Sequence, residues 1–293
     1  MKPVPFSYVR PSSVEEACEA LASDPDARVI AGGQTLVPML AMRLARPTML
    51  VDVTRIASLI GIKETDEGIE IGAATRQADA LASDLIARQV PLLARALPNV
   101  GHPPTRARGT VGGSIAHGDP SAEIALTTVI LGATIHYREG DENVGFLPDE
   151  FFFGPTVTAA PMGGLLTKVV FPKRPVGRVG AGFQEIASRR SDYAFASAGA
   201  QVVLDESGTC LTALLGIGSV GDVPLAVDVS GLAGTRLDDA DIRDAVETAL
   251  EGLEVVDDLH ATASYRRRAA ARLAHLALVE ARTEALEAGG AWA

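Results

Sequence analysis

Cysteine is scarce in this 293-residue chain, which has only Cys18 and Cys210. Two thiols cannot build a disulfide framework. They also cannot supply the four thiolates of an iron–sulfur cluster or of an all-cysteine zinc site. Basic charge is short too: 26 Lys and Arg stand against 37 Asp and Glu, a net charge of −11. A chain this acidic repels a phosphate backbone unless it carries a concentrated basic patch, so no nucleic-acid partner is expected. No apolar run reaches the ~18–20 residues that cross a bilayer, so no membrane span is expected. The start, Met1-Lys2-Pro3-Val4-Pro5, has a charge with no apolar segment behind it, which is unlike a signal peptide. The expected location is cytoplasmic. Hydrophobic residues at 47% and charged residues at 22% are ordinary globular usage and exclude wholesale disorder.

At roughly 100–200 residues per domain, the length argues for two domains. Ser12-Ser13-Val14-Glu15-Glu16 holds two overlapping Ser-x-x-Glu capping boxes ahead of a helix ending near Ala22. Short apolar runs predict strands at 28–31, 49–53, 68–73, 133–138 and 165–171. Helices are predicted at 84–97, stopped by Pro98, and at 121–131 behind Pro120. Pro172-Lys173-Arg174-Pro175-Val176-Gly177 interrupts every periodicity and reads as a linker. Domains are therefore expected at 1–175 and 176–293. The second reads as strands at 181–188, 196–204, 212–217 and 225–229, then helices at 238–253 and 262–288. The overall class is α+β, with an antiparallel sheet and helices in the smaller C-terminal domain. Tyr265-Arg266-Arg267-Arg268, the densest basic run, opens the last helix and reads as a solvated first turn.

Two glycine pairs carry most of the chemistry. Ala31-Gly32-Gly33-Gln34-Thr35-Leu36 follows a strand directly, and Gly109-Thr110-Val111-Gly112-Gly113-Ser114 comes later in the same domain. A glycine pair permits positive φ and close approach to bare backbone. Successive exposed amides then make an anion nest suited to a pyrophosphate. The plainer reading of each pair is a tight turn. A third stretch, Gly216-Ile217-Gly218-Ser219-Val220-Gly221, matches G-x-G-x-x-G, but the dinucleotide fingerprint needs a helix opening on those glycines. Asp222-Val223-Pro224 and another strand follow instead, so this is read as a hairpin turn. His117-Gly118-Asp119 reads as loop hydrogen bonding and not as a metal site. No nucleophile motif is present, and no catalytic residue or metal ligand is assigned.

The stretch from Ala31 through Leu36 to Leu40 resembles the first FAD loop of the molybdenum hydroxylase flavoprotein subunits. These are the medium chains of carbon monoxide, nicotine-derivative and caffeine dehydrogenases and the middle segment of xanthine dehydrogenase. Val100-Gly101-His102-Pro103 through Arg108-Gly109-Thr110-Val111-Gly112-Gly113-Ser114 to Pro120 resembles their second loop. The resemblance covers nearly the whole chain. It implies a two-part FAD-binding domain of the PCMH type, then a C-terminal flavoprotein domain of the carbon monoxide dehydrogenase type. Ala31–Thr35 and Thr110–Ser114 are then expected to wrap the FAD pyrophosphate. Glu123 matches an acidic residue that meets the adenosine part. Val100 and Leu166 match apolar contacts around the flavin, and Asp192 and Tyr193 lie in a segment near the isoalloxazine ring. Glu185 stands where many relatives carry Lys, which implies a different reduction potential.

The role implied is electron transfer inside a complex. A large partner would bind molybdopterin cytosine dinucleotide, and a small partner would carry two [2Fe–2S] clusters, in a dimer of heterotrimers. This chain would take electrons onto FAD and pass them to an external acceptor. Two alternatives use the same glycine loops: a self-contained flavin-dependent oxidase, and a nucleotide-binding regulatory module.

Overall fold

The computed structural model describes residues 2–288. Ser13 starts the first helix, Val14–Ser23, its hydroxyl accepting from the Glu16 N–H. Strands Ser7–Val9, Met49–Asp52 and Arg28–Ile30 make a small parallel sheet, with Met49–Asp52 in the middle. The first helix buries Ala17, Cys18 and Leu21 in one core with Val51 and Val53. Strand Arg28–Ile30 therefore has a fixed end, and the first glycine pair leaves directly from it.

A second, antiparallel sheet has the order Ile62–Glu64, Ile69–Gly72, Leu165–Phe171, Thr134–Glu139, Glu142–Phe146. Leu165–Phe171 arrives last in sequence yet takes the central place, as its nearly continuous apolar run requires. Helices Val111–His117 and Glu123–Leu131 share a core with this sheet through Ile115, Ile124, Val169 and Phe171. The region before 172 is thus in two parts, one parallel and one antiparallel. The helix predicted at 84–97 is two helices, Asp84–Gln89 and Pro91–Ala96. Pro91 cannot donate to the preceding turn, so it ends one helix and takes the first position of the next.

No regular structure occupies 172–177. Beyond it, Arg178–Ala187, Ala194–Leu204, Cys210–Gly218 and Leu225–Val227 pair in chain order as an antiparallel meander. The G-x-G-x-x-G segment ends strand Cys210–Gly218 and enters the turn of the last hairpin, and no helix opens on it. The helix Ala263–Ala288 lies on this sheet, with Ala270, Ala274, Ala277 and Ala281 in one core with Ala196, Ala198 and Ala200. Arg267 and Arg268 are exposed at its start, but Arg266 is only 4% exposed, against the expectation of a solvated turn. The two domains meet where Leu92, Ala96, Leu126 and Ile130 pack on Ala181 and Phe183.

Candidate functional site

Ile30 ends its strand, and the chain turns through Gly32 and Gly33 into the short helix Leu36–Met42. Gly33 sits at φ +71°, and a Cβ at Gly32 would run into the Arg108 carbonyl and the Gly109 Cα. One glycine makes the turn, and the other lets the two loops touch. The Gln34 amide braces the turn by donating to the Gly32 carbonyl at 3.2 Å. Val37 N–H donates to the Gly33 carbonyl at 3.0 Å. Among the described residues, no protein acceptor takes the N–H groups of residues 32–36. Backbone donors left unpaired in a protein generally mark a place where water or a ligand belongs.

The second glycine pair is built differently. Thr110 is the N-cap of helix Val111–His117, and its hydroxyl accepts from the Gly113 N–H at 3.0 Å. Val111 N–H donates to Thr75 O at 3.0 Å, Gly112 N–H to Ala73 O at 3.0 Å and Ser114 N–H to Thr110 O at 3.2 Å. These amides are already spent inside the protein, so Thr110–Ser114 is the first turn of a helix and not a second open nest. A Cβ at Gly112 would run into Ala73, so that glycine serves close packing. Val111 is fully buried.

Both segments face one cavity of about 650 Å³, a size that suits a cofactor. Its walls include Ala31, Gly32, Gly33, Gln34, Thr35 and Leu36. Val100 and Gly101 line it as well, as do Thr110, Gly113 and Ser114, and Glu123, Asp192 and Tyr193 close it. Three expected residues do not reach it: Val111, Gly112 and Leu166. Leu166 points into the core under the antiparallel sheet, 6% exposed, at an irregularity in the pairing of its strand.

Charge is divided along the cavity. Arg28 is among its lining residues, its Nη1 donating to the Ala27 carbonyl at 3.1 Å. Glu123, Asp119 and Asp192 line it elsewhere, and Tyr193 stands within electrostatic range of all three. Asp192 is held by Arg189 at 3.0 Å. Burial pushes the Glu123 carboxyl up to about 8, and the negative charges of Glu185 and Asp119 add to this, against Arg106 and a backbone hydrogen bond. Burial also raises Glu185 to about 7, and its buried Oε2 has no hydrogen-bond partner. Arg106 also braces the wall at residues 98–101, donating to the carbonyls of Val100 at 3.0 Å and Gly101 at 2.6 Å. Glu123 therefore sits with Asp192 and Tyr193, whereas the resemblance assigns them to opposite halves of FAD.

Sequence reasoning missed several wall residues. In the sequence, Arg28 reads only as part of a strand. Gln77 was not noticed; its Nε2 donates to Thr110 O at 3.4 Å and its buried Oε1 is unpartnered. His102, His117, Ser121 and Thr156 also line the cavity. Thr156 comes from the hairpin of strands Phe152–Gly154 and Val157–Thr158, and its N–H donates to the Gly118 carbonyl at 3.0 Å. His102 and His117 fall in the second-loop stretch, but nothing local in the sequence marks the others, which meet only through the fold. His117 Nε2 lies 3.9 Å from Asp119 Oδ2, in keeping with a loop role. Among the described residues, no group of three or more His, Cys, Asp or Glu side chains could hold a metal ion, and no helix is long and apolar enough to cross a membrane.

A strand-to-glycine turn with open amides on a cofactor-sized cavity, lined on one side by the second domain, is an architecture suited to a nucleotide cofactor. Residues 4–174 match the family model described as FAD binding domain in molybdopterin dehydrogenase, and residues 181–281 match CO dehydrogenase flavoprotein C-terminal domain. The chain belongs to this family of FAD-binding oxidoreductase subunits, the medium subunits of molybdenum hydroxylases. It is 37% identical to the 6-hydroxypseudooxynicotine dehydrogenase complex subunit alpha of Paenarthrobacter nicotinovorans, over 91% of this chain and 90% of that one. It is 33% identical to the carbon monoxide dehydrogenase medium chain of Afipia carboxidovorans, over 97% and 99% of the two chains. The fold superposes on quinoline 2-oxidoreductase from Pseudomonas putida 86 with a TM-score of 0.92 at 33% identity, covering 98% of this chain and 100% of that one.

Proposed function

We propose that this chain is the FAD-carrying electron-transfer subunit of a heteromeric molybdenum hydroxylase. The observation that carries the reading is the row of open amides at 32–36 on a cavity that the C-terminal domain lines on one side. These donors suit a pyrophosphate, since hydrogen bonds to charged oxygens each contribute roughly 1.5–3 kcal/mol. Arg28 adds the complementary charge from the same cavity. Ala31–Leu36 would hold the phosphates. Thr110, Gly113 and Ser114 would supply a shaped wall through the helix that Thr110 caps. Val100 and Gly101 would meet the cofactor through backbone and a small apolar side chain. The carboxyl-rich part of the cavity suits an uncharged ring better than a phosphate, so Glu123, Asp192 and Tyr193 are assigned to the isoalloxazine end. Leu166 supports that wall from the core.

When bound, FAD supplies a redox centre between the [2Fe–2S] clusters of a small partner and an external acceptor. The large partner would carry molybdopterin cytosine dinucleotide, and two heterotrimers would pair. This chain's residues would bind and orient the cofactor, with Glu123 in the wall at its ring end and Glu185 close behind it. We place the domain boundary in 172–177, where two prolines break the backbone pattern. A cytoplasmic location agrees with Cys18 and Cys210, both free and buried.

Purification of the chain from its own host tests the assembly. A yellow complex is expected, with one partner containing molybdenum and another containing iron and acid-labile sulfide. A colourless chain that purifies alone would overturn the reading and favour a regulatory nucleotide-binding module.

A further inference from the structure

Arg266 lies in the first turn of the Ala263–Ala288 helix and is 4% exposed. Its Nη1 donates to the carbonyl of Phe195 at 2.6 Å and to that of Ser219 at 2.7 Å. Its Nη2 donates to Asp258 Oδ2 at 2.7 Å, while Nε is buried without a partner. Asp258 is held well below the carboxylate range, at about 2, first by the Ala261 backbone N–H and then by Arg266 and the His260 N–H. The adjacent Tyr265 ring meets the Phe195 ring edge to face, 6.3 Å between centroids. A buried guanidinium is costly to desolvate, so what it holds matters.

One carbonyl belongs to a segment that reaches the cavity, and the other to a residue bonded to a second such segment. Phe195 follows Tyr193 by two residues, and Ser191, Asp192 and Tyr193 line the wall. Ser219 follows strand Cys210–Gly218 at φ +66°, with its hydroxyl buried and unpartnered. Its N–H donates across the domain boundary to the Pro120 carbonyl at 3.0 Å. Pro120 sits between Asp119 and Ser121, both in the wall, three residues before Glu123. Arg266 itself does not reach the cavity.

We propose that Arg266 is a positioning residue for the flavin end of the site: by gathering the Phe195 and Ser219 carbonyls, it fixes the 191–193 wall against the 119–123 turn. This rests on the assignment of that end to the isoalloxazine ring. The fork geometry is what the role needs, because one planar group reaches both carbonyls and Asp258 at once. A lysine could satisfy only part of this set.

The test uses the full chain, stripped of flavin, with FAD and ADP as probes. ADP carries the pyrophosphate and adenosine but no ring, so it reads the 31–36 turn without the wall. Arg266→Met is expected to weaken FAD binding by about tenfold. ADP, measured by competition, should change by less than about twofold. The visible circular dichroism of bound flavin should change, and Arg266→Lys should recover part of the FAD affinity. Equal losses for FAD and ADP with unaltered dichroism would show a general structural role and overturn the proposal, as would unchanged FAD binding. Should Arg266→Met fail to fold, Asp258→Asn loosens the guanidinium from its solvent side. That variant should move the flavin dichroism in the same direction by less, and an unmoved spectrum would overturn the proposal. A wild-type chain that binds ADP but not FAD would instead overturn the assignment of the ring end itself.

Discussion

Gly32 and Gly33 are neighbours in one turn, yet the fold needs them for separate reasons. Gly33 adopts the left-handed conformation, and Gly32 admits the Arg108 carbonyl. Both needs could be anticipated, because a glycine pair after an apolar strand has few other uses. Gln77 and Arg28 could not be, since each reaches the cavity through tertiary contacts alone. Glu185 was visible only as an odd residue in a family position; the structure shows a buried carboxyl near Glu123. Both groups hold their protons more firmly folded than unfolded, so folding takes up protons between the ordinary range near 4.5 and about 7 to 8. Their contribution to stability is complete below that window and is lost as pH rises through it. In the flavin-free chain, Glu185→Gln should leave Tm unchanged near about pH 4 and raise it at about pH 8, flattening the decline between. An unchanged decline in thermal scans would mean that Glu185 is solvated.

At the scale of elements, the second glycine pair shows where reading the sequence stops. Thr-Val-Gly-Gly has poor helix propensity, two glycines each weakening a helix by about 1 kcal/mol relative to alanine. It forms a helix because Thr110 caps it and Ala73 and Thr75 accept its first amides. Those partners lie in the turn after strand Ile69–Gly72, nearly forty residues away, and leave no local trace. Thr110 therefore acts through the helix. Thr110→Val keeps the shape and removes the acceptor, which should cost about 1 kcal/mol and lower Tm by about 2–4 °C. Calorimetry of the flavin-free chain reads this directly, and an unchanged Tm would show that the cap is dispensable. The break at Pro91 is a different lesson: the signal was present in the sequence, but the apolar period on either side outweighed it.

Across the whole molecule, the longer strands and helices and the sheet of the second domain were legible, because each rests on local periodicity and punctuation, whereas strands Ser7–Val9, Ile62–Glu64 and Glu142–Phe146 and helices Leu36–Met42, Gln77–Leu81 and Pro103–Arg108 were not. Nor was the way the C-terminal domain lines the cavity, since it depends on single contacts such as Ser219 to Pro120. The grouping of Asp119, Glu123 and Asp192 around Tyr193 also appears only in the folded chain. The proposed cofactor orientation, phosphates by the turn and ring by the second domain, rests on that grouping.

The most direct measurement is a fluorescence titration of the flavin-free chain with FAD, run beside Gly33→Val. A branched side chain at φ +71° is strained and disturbs the row of open amides. The wild-type chain should bind one FAD, and the variant should bind it at least about tenfold more weakly while remaining folded by circular dichroism. Equal affinity in the two would contradict the account, because the 31–36 turn would then be an ordinary turn and the phosphates would lie elsewhere.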